Sequence, residues 1–206
     1  MKIELREYQK QDYYALADII RKTWNYDKFS SPKTAGKLAR VFLSSCLTNY
    51  TFSRVAVLDG KPVGIILGKD IDHHKCTLRQ RIGQIKTILS LFMSREGRKV
   101  SKIFETVNGV DRQLVKECGK SYPAELALFA VDSECRGKGI GKMLFQSVLD
   151  YFKQQNLDEF YLFTDTTCNF GFYEHQGMVR RREKRHVFHM DGQNVKMDFF
   201  VYDYQY

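Results

Sequence analysis

Proline is scarce in this chain, with 3 residues among 206, so no Pro-rich linker divides it. Cysteine is little more frequent. The five thiols, Cys46, Cys76, Cys118, Cys135 and Cys168, are widely spaced and form no CxxC pair. An odd, scattered set excludes a disulfide framework or zinc knuckle and indicates reduced thiols. Long apolar runs are missing too. Residues 63–67 and 126–131 make the longest, far short of the roughly 20 residues that span a bilayer. The first six residues, Met1 to Arg6, hold no apolar signal core. A cytoplasmic setting is therefore expected. Internal repeats and low-complexity tracts are absent.

What is present is ordinary for a globule: 43% hydrophobic and 28% charged residues. That balance excludes a disordered or collagen-like chain. The length suits one domain over 1–206, or one domain with a sizeable insertion. The net charge of +9 favours polyanionic partners, whether nucleic acid, anionic lipid or a phosphorylated cofactor. It does not choose among them, and a solvated basic face explains it equally well.

Periodicity sets the element order. Residues 2–8 alternate as a strand. Asp12 is placed to cap a helix through Trp24, with Leu16, Ala17 and Ile20 on one stripe. Ser31-Pro32 starts a second helix, with Pro at its first position. Residues 52–58 and 62–67 form a hairpin around Asp59-Gly60. Residues 69–120 read as a helical insertion. Leu78, Ile82, Ile85, Leu89 and Phe92 recur at helix spacing, as do Val100, Ile103, Phe104, Val107, Leu114 and Cys118 after Gly97. This stretch holds 12 Lys/Arg against 6 Asp/Glu, most of the net surplus. Residues 124–131 form a strand whose apolar run, broken only by Glu125, predicts burial on both faces. A helix over 138–154, a strand over 159–164 and a short helix over 170–176 follow, the last ending at Gly177. Strands over 178–190 and 194–204 flank Asp191-Gly192, a second hairpin signal. The class is α/β.

The strongest motif is Arg136-Gly137-Lys138-Gly139-Ile140-Gly141-Lys142, between a strand ending at Val131-Asp132 and an amphipathic helix. Glycines at alternate positions permit tight turning and close approach of a ligand to the backbone. The first helical turn offers N–H groups without internal partners, and the macrodipole adds positive potential. Arg136, Lys138 and Lys142 supplement it. A diphosphate suits such a turn. A Walker loop does not fit, because Met143 follows Lys142. A Gly-rich structural turn with surface lysines is the plain alternative.

This motif resembles the R/Q-x-x-G-x-G/A signature of the GNAT superfamily of acyl-CoA-dependent N-acyltransferases. Downstream, Asn169-Phe170-Gly171-Phe172-Tyr173-Glu174-His175-Gln176-Gly177-Met178 is similar to that family's second signature, an Asn followed by FYE-x-x-G and an apolar residue. The order of elements fits over most of the chain. Only the insertion 69–120, between strands three and four, departs from the minimal pattern, so the resemblance bears on the cofactor more than on the acceptor. It implies the GNAT fold, a mixed central sheet of about seven strands flanked by helices. It also implies acetyl-CoA as co-substrate, with Arg136, Gly137, Lys138, Gly139, Ile140, Gly141 and Lys142 around its diphosphate. The backbone of Phe129, Ala130 and Val131 would pair with the pantetheine arm where strands four and five splay. Asn169 would bond that arm, or else cap the short helix; both roles are compatible. Phe172 reads as core or cofactor wall.

The implied reaction is attack of a neutral amine on a thioester, which needs a base and an acid. Tyr173 matches the family's general acid; core filling is the alternative. Glu125, the lone carboxylate in an apolar strand, is the candidate base; a solvent-exposed or ion-paired Glu is the alternative. Asp165 reads as a turn cap. Cys135 and Cys168 flank the expected groove, but direct transfer needs no nucleophile. His73-His74 and Cys76 lack a fourth ligand at standard spacing, so no metal is expected. In residues 180–185 alternate side chains share a face; they serve a ligand or blunt an edge strand. Some of the C-terminal aromatics, Phe199 to Tyr206, could line a pocket. The resulting expectation is an N-acetyltransferase acting on a primary amine of a small molecule or peptide, with a homodimer as a common family assembly. Nucleic acid and membrane are not expected as partners. Excess positive charge also speaks against polycationic acceptors, unless the local cleft opposes it. A CoA-binding sensor without turnover is the competing class.

Overall fold

The computed structural model describes residues 2–190 and 193–206. The turn expected at Asp191-Gly192 lies outside them. Seven strands form one sheet in the order β1-β2-β3-β4-β5-β7-β6. They are β1 (Ile3–Arg6), β2 (Phe52–Leu58), β3 (Lys61–Asp70), β4 (Ala124–Val131), β5 (Glu159–Asp165), β6 (Val179–Met190) and β7 (Gln193–Gln205). The pair β4–β5 is parallel, and all other pairs are antiparallel. The helices are α1 (Tyr13–Thr23), α2 (Pro32–Cys46), α3 (Leu78–Phe92), α4 (Arg95–Glu117), α5 (Ile140–Gln154) and α6 (Gly171–His175). Two helices, α3 and α4, thus connect β3 to β4. No helix among the described residues is long and apolar enough to cross a membrane.

Local chemistry explains most of these boundaries. Asp59 and Gly60 both take positive φ, 47° and 83°, the two-residue turn whose twist matches flanking strands. Pro32 opens α2, where its missing N–H costs nothing. Thr77 and Gln80 close a reciprocal capping box on α3. Asp12 departs from expectation. Its side chain does not cap α1; it turns back to accept from the Gln9 N–H at 2.8 Å and pairs with Arg6 at 2.7 Å. The guanidinium satisfies the nearly inaccessible carboxylate better than the helix end would, and tethers β1 to α1.

The sheet is covered on both faces. Leu16, Ile20, Leu38 and Leu43 of α1 and α2 meet Val55, Ile65, Leu67 and Leu128. On the opposite face Leu144, Phe145, Val148 and Phe152 of α5 meet Ile66, Leu126, Phe160 and Tyr202. A third cluster seats Val110 and Leu114 of α4 on Phe188, Phe199 and Val201. β4 is buried on both faces as expected, with Ala124 and Leu126 in the cluster under α5 and Leu128 and Ala130 in the cluster under α1 and α2, although buried and half-buried residues alternate along it. Its half-buried positions include Glu125 and Phe129, which line a cleft. An apolar run therefore marks a cleft floor here as well as a core.

Candidate active site

The cleft begins where the sheet splits. β4 and β5 pair only at Ala124–Phe160 and Glu125–Tyr161. Beyond that point β5 continues against β7 to Asp165, and β4 continues against β3 to Val131. The edge of β4 that faces β5 is thus left without a strand partner over 126–131, with backbone polar groups to satisfy. β4 also shifts register against β3, from Leu67–Leu128 to Gly68–Leu126. Ala127 is the extra residue, and such a bulge re-aims the strand. Leu126 accordingly joins the core under α5, while Leu128 and Ala130 join that under α1 and α2.

The glycine turn closes one end of this gap. The Asp132 N–H bonds the Val63 carbonyl at 2.8 Å, and the Asp132 carboxylate accepts from the Glu134 N–H at 3.0 Å. Gly137 and Gly139 each hold φ at 76°, a conformation that side chains resist. A Cβ at either would meet nothing within 4 Å. Backbone conformation, not crowding, therefore demands glycine, and the space over the turn is open. Gly139 caps α5 without a side chain, so the N–H groups of Ile140, Gly141 and Lys142 have no intrahelical acceptor. Arg136, Lys138 and Lys142 are exposed and have no ion-pair partner among the described residues. The turn is built to receive an anion.

Tyr173 stands on the aromatic wall of the same cleft. Its ring packs against Phe129, Phe172 and Tyr202, and the residue is only 8% exposed. Its hydroxyl makes no hydrogen bond among the described residues, although no fully buried side-chain oxygen or nitrogen there is left unpaired. The hydroxyl therefore sits on the cleft surface. Burial, followed by the charges of Cys168 and Asp165, pushes its pKa well above the usual phenol value. The group is a neutral proton donor. Phe172 is half-buried and lines the cleft beside Phe129, so it serves both core and wall. Asn169 is exposed on the cleft and does not cap α6 with its side chain. Only its backbone carbonyl does so, accepting from the Phe172 N–H at 3.2 Å.

Glu125 also reaches the cleft, with its side chain 15% exposed and Lys69 Nζ at 3.8 Å from its carboxylate. Burial raises its pKa; Lys69, Tyr161, Asn49 and His74 pull it back. Asp165 caps its turn as expected, accepting from the Thr167 N–H at 2.7 Å and hydroxyl at 2.5 Å. Burial raises the Cys168 thiol to about 12, so it is no thiolate. His73 pairs with Asp70 at 2.8 Å, and His74 donates to the Thr48 carbonyl at 2.9 Å.

Asp111 was not singled out by sequence reasoning. It lines the cleft from α4, within electrostatic reach of Asp165 and Glu125, and burial raises its pKa to about 7. The signal was present: Asp111 fills the slot between Val107 and Leu114 where the α4 stripe calls for an apolar residue. The basic run 180–185 is structural. Arg180 stacks on Phe200 at 4.2 Å and pairs with Glu174 at 2.8 Å. Arg181 grips the buried Asp203 at 2.8 Å, Arg185 holds Asp198 at 2.6 Å, and Lys184 bonds Gln113. Of the C-terminal aromatics, Phe199 reaches the cleft while Phe200 and Tyr202 are core.

The cleft, about 1390 Å³ in volume, thus joins the glycine turn, the open edge of β4, Tyr173, Glu125 and Asp111. A mixed sheet opened between its parallel strands, with a glycine-bent helix start at the opening, is the GNAT fold. Residues 102–178, which contain both motifs, match the Acetyltransferase (GNAT) family, in agreement with the resemblance read from sequence. No curated protein matches the chain. Among solved structures it is similar to the PaiA N-acetyltransferase from Thermoplasma acidophilum in complex with coenzyme A (17% identity, 100% of both chains, TM-score 0.53). It is also similar to an N-acetyltransferase from Staphylococcus aureus Mu50 (14% identity, 100% of this chain and 99% of that one, TM-score 0.58). A third is the ribosomal-protein-S18-alanine N-acetyltransferase from Escherichia coli (12% identity, 99% and 94%, TM-score 0.54).

Proposed function

We propose that the protein is an acetyl-CoA-dependent N-acetyltransferase that passes an acetyl group directly to a primary amine of a small molecule or peptide. One observation carries this reading: the glycine turn and the unpaired Tyr173 hydroxyl face one cleft at the split of the sheet. The residues fit the co-substrate. The free N–H groups at the start of α5, with Arg136, Lys138 and Lys142, suit a diphosphate. The unpartnered edge at Phe129, Ala130 and Val131 suits an amide-bearing arm, and the uncommitted Asn169 amide lies on the same cleft. When bound, acetyl-CoA supplies an acyl group activated as a thioester.

The chain's own groups supply the rest. Glu125 takes the proton that the amine must lose, directly or through water. Tyr173 Oη holds a proton for the departing sulfur. Asp111, Glu125 and Asp165 make part of the cleft acidic despite the basic net charge, and this suits a cationic acceptor. A phenol without a hydrogen-bond partner among the described residues, placed on the cleft beside the glycine turn, favours turnover over a silent sensor. Residues 69–120 are read as an insertion that walls the acceptor side, since Arg81, Gln84 and Ile88 of α3 and Asp111 of α4 line it.

Acetyl-CoA-dependent thiol release, screened over amines, amino acids and peptides, tests the activity. Calorimetry with CoA tests the cofactor alone. Absence of heat with CoA on folded protein overturns the reading; heat without turnover on any amine revives the sensor.

A further inference from the structure

Helix α3 is amphipathic in the wrong sense for a core element. Its apolar residues Leu78, Ile82, Ile85, Leu89 and Phe92 project outward with Met93, and Leu78, Leu89 and Met93 are 77%, 60% and 83% exposed. At about 100° per residue they share a stripe roughly 100° wide. Much of the inward face is polar. Gln80 donates to the Leu47 carbonyl at 3.0 Å and Gln84 to the Ser45 hydroxyl at 3.1 Å, both anchoring α3 to α2. Only Leu91 is fully buried. The helix contains no acidic residue. Its cations Arg79 and Lys86 border the stripe on one side and Arg81 on the other. All three are exposed, and none has an ion-pair partner among the described residues.

We propose that this face of α3 is an interfacial anchor that docks the protein on the surface of an anionic phospholipid bilayer. The inference stands apart from the proposed catalytic reading. An outward apolar stripe flanked by Lys and Arg is the pattern of a helix lying in the plane of a lipid interface. The helix spans about 22 Å at 1.5 Å per residue, so it lies on a membrane and does not cross it. Charge selects lipid over a second copy of the chain. Two α3 helices packed about a two-fold axis would face cation to cation with no carboxylate of their own to relieve them, whereas anionic headgroups neutralise all three. This revises the expectation that membranes play no part.

The test is co-sedimentation of the full chain with sucrose-loaded vesicles. Lipid is phosphatidylcholine alone, or phosphatidylcholine with about one quarter phosphatidylglycerol. The protein is expected to pellet with the anionic vesicles only. Ile82→Glu with Leu89→Glu is expected to lower partitioning at least about tenfold. Arg79→Gln and Lys86→Gln should each lower it about fivefold. These side chains touch little of the fold, so circular dichroism and the thermal midpoint should stay unchanged. Failure of the folded protein to bind anionic vesicles overturns the proposal. So does a dimer in analytical ultracentrifugation that Leu89→Glu dissociates, with no vesicle binding, since the stripe would then belong to a second copy. Equal binding to neutral vesicles overturns the role of the cations.

Discussion

Two basic segments of this chain, residues 136–142 with three cations and residues 180–185 with five, are opposite in structure. In residues 136–142 the cations and the helix-start amides face open space with no internal acceptor. In residues 180–185 three of the five cations are held by carboxylates, Arg180 by Glu174 with aromatic faces beneath it, Arg181 by Asp203 and Arg185 by Asp198, while Arg182 and Lys184 donate to neutral oxygens. Charge density therefore does not mark a ligand site; charge left without a partner does. The same rule separates Tyr173, whose hydroxyl is free, from Tyr202, which donates to Glu174 at 2.7 Å. It also separates Asp111 from Asp203, which is held by Arg181, Lys120 and Tyr122.

Breaking that contrast should affect activity on one side and stability on the other. The largest effect is expected at Tyr173. Tyr173→Phe should lower kcat by about 100-fold or more with CoA affinity unchanged by calorimetry, and an undiminished kcat would remove it from the mechanism. Gly139→Val comes next. Forcing a β-branched residue to positive φ costs roughly 1–3 kcal/mol, and CoA affinity should fall about tenfold or more while kcat at saturation changes less. Asp111 sharpens the comparison through pH. Its carboxyl ionises near 7, so affinity for a cationic amine should rise with pH through neutrality. Asp111→Asn should abolish that rise. Glu125 belongs on the acid limb. As a base it must be ionised, and burial raises its pKa from the ordinary Glu value. Activity should therefore climb with pH through that raised value, and Glu125→Gln should remove the inflection. The smallest effects form a matched pair. Arg181→Ala should lower the thermal midpoint by a few degrees, since a charged hydrogen bond to a buried carboxylate is worth about 1.5–3 kcal/mol. Lys120 and Tyr122 remain to soften the loss, and KM for acetyl-CoA should not move. Arg136→Ala should raise that KM a few-fold and leave the midpoint alone. The reverse pattern would dissolve the distinction.

Much of the fold and the phosphate turn was legible because it is written locally. Alternating glycines, the Asp59-Gly60 turn and Pro32 act through the backbone of their own few residues. Tyr173 and Asn169 were legible through their motif. What escaped depends on partners far along the chain. The Ala127 bulge exists only against β3. Asp12 turns to Arg6 because folding brings that guanidinium within reach. Asp111 becomes unusual only when α4 seats it near Glu125 and Asp165. Periodicity shows that α3 has an apolar stripe, but it cannot show which way the stripe faces, because that is settled by Gln80 and Gln84 finding acceptors on α2.

The opening between β4 and β5 has a mechanical side. Sheet hydrogen bonding joins four strands to the other three through only two residue pairs. A guest whose amides bond the bare rim of β4 would act as a splint across that seam. Its arrival should slow amide hydrogen exchange along the rim and stiffen both half-sheets together.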